Sequence, residues 1–167
     1  MVGSLGSYAV QSLTERRQWK RQRDERWDEK RFETYGRYAN ALKAQLRVAQ
    51  RIGAGLGFAD VVDPLQPAEG LPLLADAESH RATEWESVLL VGDAATIAAA
   101  RKWHEIWTIE LLVREGPVDA EMWTKAHRLA SVARDAFYES ARRDLGIAGD
   151  PPPSGNWPRT WRTELSG

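Results

Sequence analysis

Three histidines are the side chains of this sequence most suited to metal binding or proton transfer, and none lies in a complete catalytic motif. His104 and Glu105 match the start of the HExxH helix of zinc proteases, but Thr108 occupies the position of the second histidine. The paired Glu-x-x-His motifs of di-iron bundles are also missing, because no histidine follows a glutamate by three residues. The sequence therefore predicts no catalytic residue, no metal and no other cofactor.

Two sets of residues that include histidines could still form a binding site, and such a site is an alternative prediction. Asp76, His80 and Glu84 repeat every four residues and would share one helical face, although solvated side chains are the simpler interpretation. The second grouping would line a cleft between the third and fourth predicted helices, where a small molecule or a metal could bind and react. Its members are two tryptophans and two histidines that also fit the edge of a core: Trp103, His104, Trp107 and His127.

The composition narrows the classes of function further. The 167 residues fit one domain and include no cysteine, which excludes disulfides, thiolate zinc sites and a cysteine nucleophile. Neither a phosphate-binding glycine loop nor a nucleophile elbow occurs. Because the 23 basic and 24 acidic residues leave a net charge of −1, any electrostatic function must be local. We therefore expect a protein that is not an enzyme.

The strongest local charge is a basic block near the N-terminus. It contains five cations and a tryptophan with no acid among them: Arg16, Arg17, Trp19, Lys20, Arg21 and Arg23. Residues 24–33 are then predominantly acidic, and like charges recur four residues apart, which weakens an isolated helix. The simplest interpretation is that these charged residues form a solvated helix face.

The more specific interpretation of this charge pattern is that a partner neutralises the basic block. We expect a homo-oligomer with antiparallel copies, another protein, or an anionic membrane surface. Nucleic acid is disfavoured as a partner, because the acidic residues that follow would repel its phosphates.

Helices must position these side chains, because apolar residues recur at steps of three and four through most of the chain. The first predicted helix covers residues 15–57 and is charged until Arg26. An inward-facing stripe then follows, with Phe32 on its flank. Gly36 within it indicates a close contact with another helix. The stripe consists of Trp27, Tyr35, Tyr38, Leu42, Leu46, Ala49, Ile52 and Leu56.

Three further helices are predicted over residues 72–91, 94–115 and about 119–145. Gly92 stops the second helix and Asp93 caps the third, while Gly116 and Pro117 separate the third from the fourth. The inward stripe of the fourth is Met122, Ala126, Leu129, Ala133, Phe137, Ala141 and Leu145. The predicted fold is all-α, an antiparallel bundle of four main helices with a long projecting N-terminal helix.

The chain divides into a helical extension over residues 1–26, a bundle domain over 27–146 and a C-terminal tail over 147–167. Three consecutive prolines favour an extended backbone in the tail. Trp157 and Trp161 lie four residues apart, and we expect them to dock on the bundle or on a partner. Loose packing on the protein's own domain is the simpler interpretation.

Residues 1–14 carry no charge. This run is too short to cross a bilayer, which takes about 20 apolar residues. It fits either a frayed helix start or the last turns of a membrane helix whose first part precedes Met1. In the second case the basic block would lie at the inner face of the cell membrane, where basic residues collect. We expect a cytoplasmic protein, with that inner face as the alternative location.

The order of these features resembles a group of small uncharacterised actinobacterial proteins. In that group an N-terminal membrane helix precedes a charged Arg/Trp segment and an alanine-rich helical bundle. The resemblance spans roughly residues 5–145, although the complete membrane span is missing here. It is carried by the restart at Gly92-Asp93 and by two runs, Thr14-Glu-Arg-Arg-Gln-Trp19 and Arg26-Trp-Asp-Glu-Lys-Arg-Phe-Glu-Thr-Tyr35.

The resemblance implies the helical fold and no catalytic residues. Together with the charge pattern it leads to one functional expectation. The protein is expected to be a non-enzymatic helical interaction module that self-associates or docks through its charged N-terminal helix. One form of this expectation places the module beside a membrane. A ligand-binding or enzymatic cleft and nucleic-acid binding through residues 16–23 are the alternatives.

Overall fold

The computed structural model describes residues 5–58, 62–116 and 119–149, without the side chains of residues 5–18, 20–25, 107, 110 and 115. This part of the chain is helical with no strand, which confirms the predicted all-α class. It has five helices rather than the four main helices predicted. They are α1 (Leu5–Gly55), α2 (Pro67–Val91), α3 (Ala94–His104), α4 (Trp107–Glu115) and α5 (Ala120–Asp144).

The extra helix arises because the predicted third helix divides at Glu105 and Ile106. Four amide N–H groups there, those of residues 105, 106, 108 and 109, bond to the carbonyl three residues back, at 3.0 to 3.3 Å, which tightens the chain into a turn. Ile106 and Ile109 nevertheless stay 6 % and 2 % exposed. Since the core-facing residues continue through the turn, apolar periodicity predicted one helix where two exist.

Two of the predicted helix starts are confirmed by their caps. The Asp93 carboxylate accepts a hydrogen bond from the Thr96 amide at 2.7 Å, and Asp119 accepts from Met122 at 2.7 Å. Each carboxylate satisfies an N–H group that has no partner within its own helix. These caps fix where the chain turns between the core-facing helices.

Helix α1 is continuous over 51 residues, about 75 Å long. It runs antiparallel to α2, since Arg37 pairs with Glu84 at 3.0 Å while Gly70 lies against Ile52 further along. Contacts of Tyr35 with Phe137 and of Gly53 with Trp123 give α5 the same opposed direction. Helix α1 is thus the element against which α2 and α5 pack.

The inward stripe of α1 begins later than the sequence predicted. Trp27 is 50 % exposed and Phe32 is 66 % exposed, whereas Tyr35 is 4 % exposed. The cause is the length of the neighbours: Arg31 contacts both Val91, the last residue of α2, and Asp144, the last residue of α5. Residues before Arg31 therefore lie beyond the ends of both helices, and the prediction that Trp27 faces inward is wrong.

The centre of the core is a group of rings around Phe137, which is fully buried. Four aromatic rings from α1, α3 and α5 have their centroids 5.5 to 6.0 Å from the ring of Phe137: Tyr35, Tyr38, Trp103 and Tyr138. Edge-on and tilted pairs of this kind are favourable because the positive ring edge meets a negative ring face. This aromatic cluster joins the three helices.

The prediction of a close helix contact at Gly36 is wrong. Gly36 is exposed, and a Cβ added there would meet nothing within 4 Å. The close approaches are at Gly53, where a Cβ would overlap the ring of Trp123, and at Gly70, where it would overlap Ile52. These two glycines, and not Gly36, set the distance of α1 from its neighbours.

Candidate interaction site

Large aromatic side chains lie exposed on the part of α1 that precedes Arg31, here called the arm (residues 5–30). Trp19 is 68 % exposed and Trp27 is 50 % exposed, and Phe32 follows at the base with 66 %. Exposed rings of this size are enriched at protein interfaces and near membrane surfaces. The arm therefore presents apolar area that no described residue covers.

Two ion pairs lie on the surface at the base of the arm. Arg31 lies 3.4 Å from Asp28 and Lys30 lies 3.2 Å from Glu33, both on the exposed surface. Such pairs contribute a few tenths of a kcal/mol each. The five cations of the basic block belong to α1, but their side chains lie outside the described residues: Arg16, Arg17, Lys20, Arg21 and Arg23.

A polar network fixes the base of the arm to the rest of the protein. The Arg31 guanidinium donates to the backbone oxygen of Val91 at 3.1 Å and lies 3.7 Å from the carboxylate of Asp144. The Tyr35 hydroxyl donates to the same carboxylate, whose side chain is only 9 % exposed. A cation at the C-terminal end of α2 also interacts favourably with the helix dipole. One network thereby joins α1 to the ends of α2 and α5.

The electrostatics of Tyr35 follow from this network. Burial, and then the hydrogen bond and negative charge of Asp144, raise the pKa of Tyr35 above its ordinary value. The phenol consequently remains a hydrogen-bond donor to Asp144 at neutral pH. Sequence reasoning missed this pair because its members are 109 residues apart.

The structure does not bring the predicted cleft residues together at one site. Trp103 is 1 % exposed within the aromatic cluster, and the side chain of Trp107 lies outside the described residues. The ring of His127 lies 4.6 Å from that of Trp123, and its Nδ1 is 3.0 Å from the Trp123 backbone oxygen. His104 instead contacts Arg81 and Trp85 of α2.

A groove of about 340 Å³ does lie between α3–α4 and α5, where the cleft was expected. Its lining includes Ile106, Ile109, Ala126, Leu129, Ala133 and Ala136, whereas Trp103, His104 and His127 lie elsewhere. The predicted inward stripe of α5 is only partly right: Phe137 and Ala141 are buried, but Met122 is 42 % exposed and Leu129 is 57 % exposed. The buried side of the helix also includes Trp123 and Ala130, which the predicted stripe did not contain.

His104 belongs to a buried polar contact on the opposite side of α3. The guanidinium of Arg81, 1 % exposed, donates to the His104 ring and also bonds Glu78 at 3.0 Å. Burial and, second, the charge of Arg81 lower the pKa of His104. Burial likewise lowers the pKa of His127. Both rings are therefore neutral in the folded protein at pH 7.

The two lowered pKa values predict a loss of stability in mild acid. A histidine whose folded pKa lies below its unfolded value of about 6.5 favours folding fully above pH 6.5. As pH falls below that value the unfolded chain binds protons first, so we expect the free energy of unfolding to decrease. Urea unfolding at a series of pH values from about 7.5 to 5 measures this effect.

Substitution separates these two histidines from other titrating groups. We expect the variant with both His104→Gln and His127→Gln to lose less stability over the same pH range. His80→Gln, which changes an exposed side chain of α2, serves as the matched control and should follow the wild type. A double variant whose pH dependence equals that of the wild type would contradict the assignment.

The remaining sequence predictions for sites have separate outcomes. Within the described residues no three or more His, Asp or Glu side chains form a group that could hold a metal ion, and Glu84 pairs with Arg37. Trp157 and Trp161 lie outside the described residues. None of the helices, over the residues that the structure describes, combines the length and the apolar character needed to cross a membrane.

Comparison with known proteins adds no relative. No protein-family model, curated protein or solved structure matches this chain.

Proposed function

We propose that this protein is a non-enzymatic helical interaction module that self-associates through the arm of α1. The observation that supports it is the position of Arg31. Helices α2 and α5 end there, while α1 continues for another 26 residues towards the N-terminus, about 39 Å. In this proposal α1 projects from an antiparallel bundle formed by the other helices, and the projection is the contact surface.

A second copy of the arm is the occupant that fits its charge pattern best. Residues 16–23 are basic and residues 24–33 are mainly acidic, so two antiparallel arms place each block opposite its complement. The symmetry is then a two-fold axis near residue 24, with the same surface used by both copies. Trp19 of one copy comes within about one helical turn of the level of Trp27 in the other.

The network at the base of the arm supports this function by limiting motion. Arg31 and Tyr35 bind the ends of two helices, so the direction of the arm relative to the core is fixed before any partner arrives. A fixed arm loses less conformational entropy on binding than a flexible one, which favours affinity. The Arg37–Glu84 pair joins α1 to α2 further into the bundle.

An anionic membrane surface is the second partner class that the basic block fits. Five cations between residues 16 and 23 follow an uncharged run, as at the cytoplasmic end of a membrane helix. The protein would then act at the inner face of the cell membrane, as the resemblance to the actinobacterial group implies.

Reversing the five cations of the basic block tests both versions. We expect Arg16, Arg17, Lys20, Arg21 and Arg23, all changed to Glu, to halve the mass measured by light scattering from dimer to monomer. Flotation with vesicles that contain anionic lipid tests the membrane version, and the same variant should lose any flotation of the wild type.

A variant with the same change in net charge provides the control. Five exposed cations of the bundle, changed to Glu, should leave mass and flotation unaltered: Arg47, Arg101, Lys102, Lys125 and Arg128. A wild-type protein that is monomeric at all concentrations and does not float with vesicles would refute the proposal. Equal effects of the two variants would assign the result to net charge and not to the arm.

A further inference from the structure

Helix α5 carries a second apolar stripe beside the one that enters the core. Its members follow steps of four, three, four and three residues, a spacing typical of a helix surface that packs against a partner. They are Met122, Ala126, Leu129, Ala133 and Ala136. Val132 at the edge of the stripe is 63 % exposed. This stripe is separate from the arm of α1 and is not part of the proposed self-association.

The stripe from Ala126 to Ala136 forms one wall of the groove of about 340 Å³, and Ile106 and Ile109 contribute the other side. Small side chains at Ala126, Ala133 and Ala136 leave the space, while the larger Leu129 stands 57 % exposed within it. Lys102 and Glu105 also line the groove, 3.8 Å apart as an ion pair. A groove of this shape accepts large flat apolar groups, and its pair of opposite charges gives it no preference for an ion.

The chain that follows α5 is bonded to the last turns of that helix. The amide of Ile147 bonds the Arg142 backbone oxygen at 2.8 Å, and Gly146 has a φ of 67°, so the helix ends in a glycine-based turn. The Arg142 guanidinium donates to the backbone oxygens of Ala148 and Gly149 at 3.0 and 3.2 Å. Residues 147–149 are therefore held beside the last turns of α5 instead of leaving along its axis.

The length of the chain after Gly149 matches the distance to the groove. In an extended, proline-rich conformation residues 150–156 would span about 22 Å. The near end of the groove, Ala136, is eight residues before Asp144 and thus about 12 Å along the axis. A diagonal path that covers this distance and half the circumference of a helix about 10–12 Å wide is about 20–22 Å long. Trp157 can reach the groove.

The spacing of the two tail tryptophans matches the stripe as well. Trp157 and Trp161 are four residues apart, which is about 12 Å in an extended chain. Ala133 and Ala126 on α5 are seven residues apart, about 10 Å along the helix. Two tryptophans carry large apolar areas whose burial is favourable. Their attachment to the same chain gives them a high effective concentration at the groove.

We infer that the groove between α3–α4 and α5 is the intramolecular docking site of the C-terminal tail, with Trp157 and Trp161 as its anchors. The occupant is a segment of the same chain, because the tail starts within reach of the groove and carries side chains of the required size. Docking covers the exposed stripe of α5. The arm of α1 has no part in it, so its test is independent of the proposed function.

Tryptic cleavage of the full-length chain tests the docking. Trypsin cleaves after Arg159 and Arg162, which flank Trp161, and docking slows cleavage because the tail must first leave the groove. We expect Leu129→Glu, which places a charge in the groove, to accelerate both cleavages by about tenfold. Val132→Glu is a second groove variant at an exposed position. The double variant Trp157→Ala, Trp161→Ala should accelerate cleavage similarly.

Leu90→Glu is the matched control, since Leu90 is 83 % exposed on α2. It should leave the cleavage rate unchanged, and all rates should be independent of protein concentration over a roughly hundredfold range, as intramolecular docking requires. Equal cleavage rates in the wild type and both groove variants would overturn the inference. Acceleration by Leu90→Glu would attribute the effect to general loosening, and faster cleavage on dilution would assign the bound tail to a second copy; either result also overturns it.

Discussion

Phe137→Ala is expected to lower the free energy of unfolding by about 3–5 kcal/mol, the cost typical of removing a buried aromatic ring. Phe137 is 0 % exposed and lies at the centre of the aromatic cluster, where rings from α1, α3 and α5 surround it. Its loss removes apolar contact area, leaves a cavity among rigid rings and abolishes four aromatic pairs. Because the cluster joins three helices, the neighbours cannot collapse into the cavity without moving a helix.

Urea unfolding followed by far-UV circular dichroism measures this loss. Leu90→Ala is the control, because its side chain is 83 % exposed and its removal should change stability by no more than about 0.5 kcal/mol. A domain typically has a total stability of about 5–15 kcal/mol, and Phe137→Ala keeps a folded baseline where the wild type lies above about 7 kcal/mol. If Phe137→Ala cost no more than Leu90→Ala, the aromatic cluster would not be the centre of the core.

Helix content and two of the helix starts could be predicted from the sequence, because both depend on neighbouring residues, whereas α2 begins at Pro67 and not at the predicted Pro72. Apolar steps of three and four follow from helix geometry alone, and Asp93 and Asp119 cap the amides of residues three positions ahead. The break at Glu105 could not be predicted, since Ile106 and Ile109 continue the apolar pattern through it.

Burial on a given helix depends on neighbours that are distant in sequence. Trp27 has the spacing of a core residue, but α2 and α5 end level with Arg31, so nothing in the described part of the chain covers it. On α5, Leu129 and Ala130 belong to adjacent stripes with similar periods. The position of the aromatic cluster decides between them: the stripe with Phe137 and Ala130 faces inward, and Leu129 is left exposed.

The candidate site also has features that the sequence reveals and features that only the structure reveals. The basic block is contiguous, so its charges are visible without a structure. The network that fixes the arm joins Arg31 and Tyr35 to Asp144 across more than a hundred residues. A sequence offers no reason to pair these side chains, because Tyr35 and Asp144 each fit an ordinary helix position.

Two Gly→Ala substitutions on α1 are expected to change the free energy of unfolding in opposite directions. Gly36→Ala should raise the free energy of unfolding by about 0.5–1 kcal/mol, since alanine restricts the unfolded chain and favours a helix. Its new Cβ meets nothing within 4 Å. Gly53→Ala makes the same backbone change, but its Cβ would overlap the ring of Trp123. We expect it to lower stability by about 1–3 kcal/mol through overpacking.

The expected cost at Gly53 depends on Trp123 being unable to move aside. Trp123 is 3 % exposed and lies between Phe58, with ring centroids 6.0 Å apart, and His127, at 4.6 Å. Trp123→Phe removes the part of the ring nearest to Gly53. The double variant Gly53→Ala, Trp123→Phe should therefore be more stable than the sum of the single changes predicts, by a margin that a double-mutant cycle in urea detects. Strict additivity, or a gain of stability in Gly53→Ala alone, would mean that α1 and α5 approach each other less closely than this contact requires.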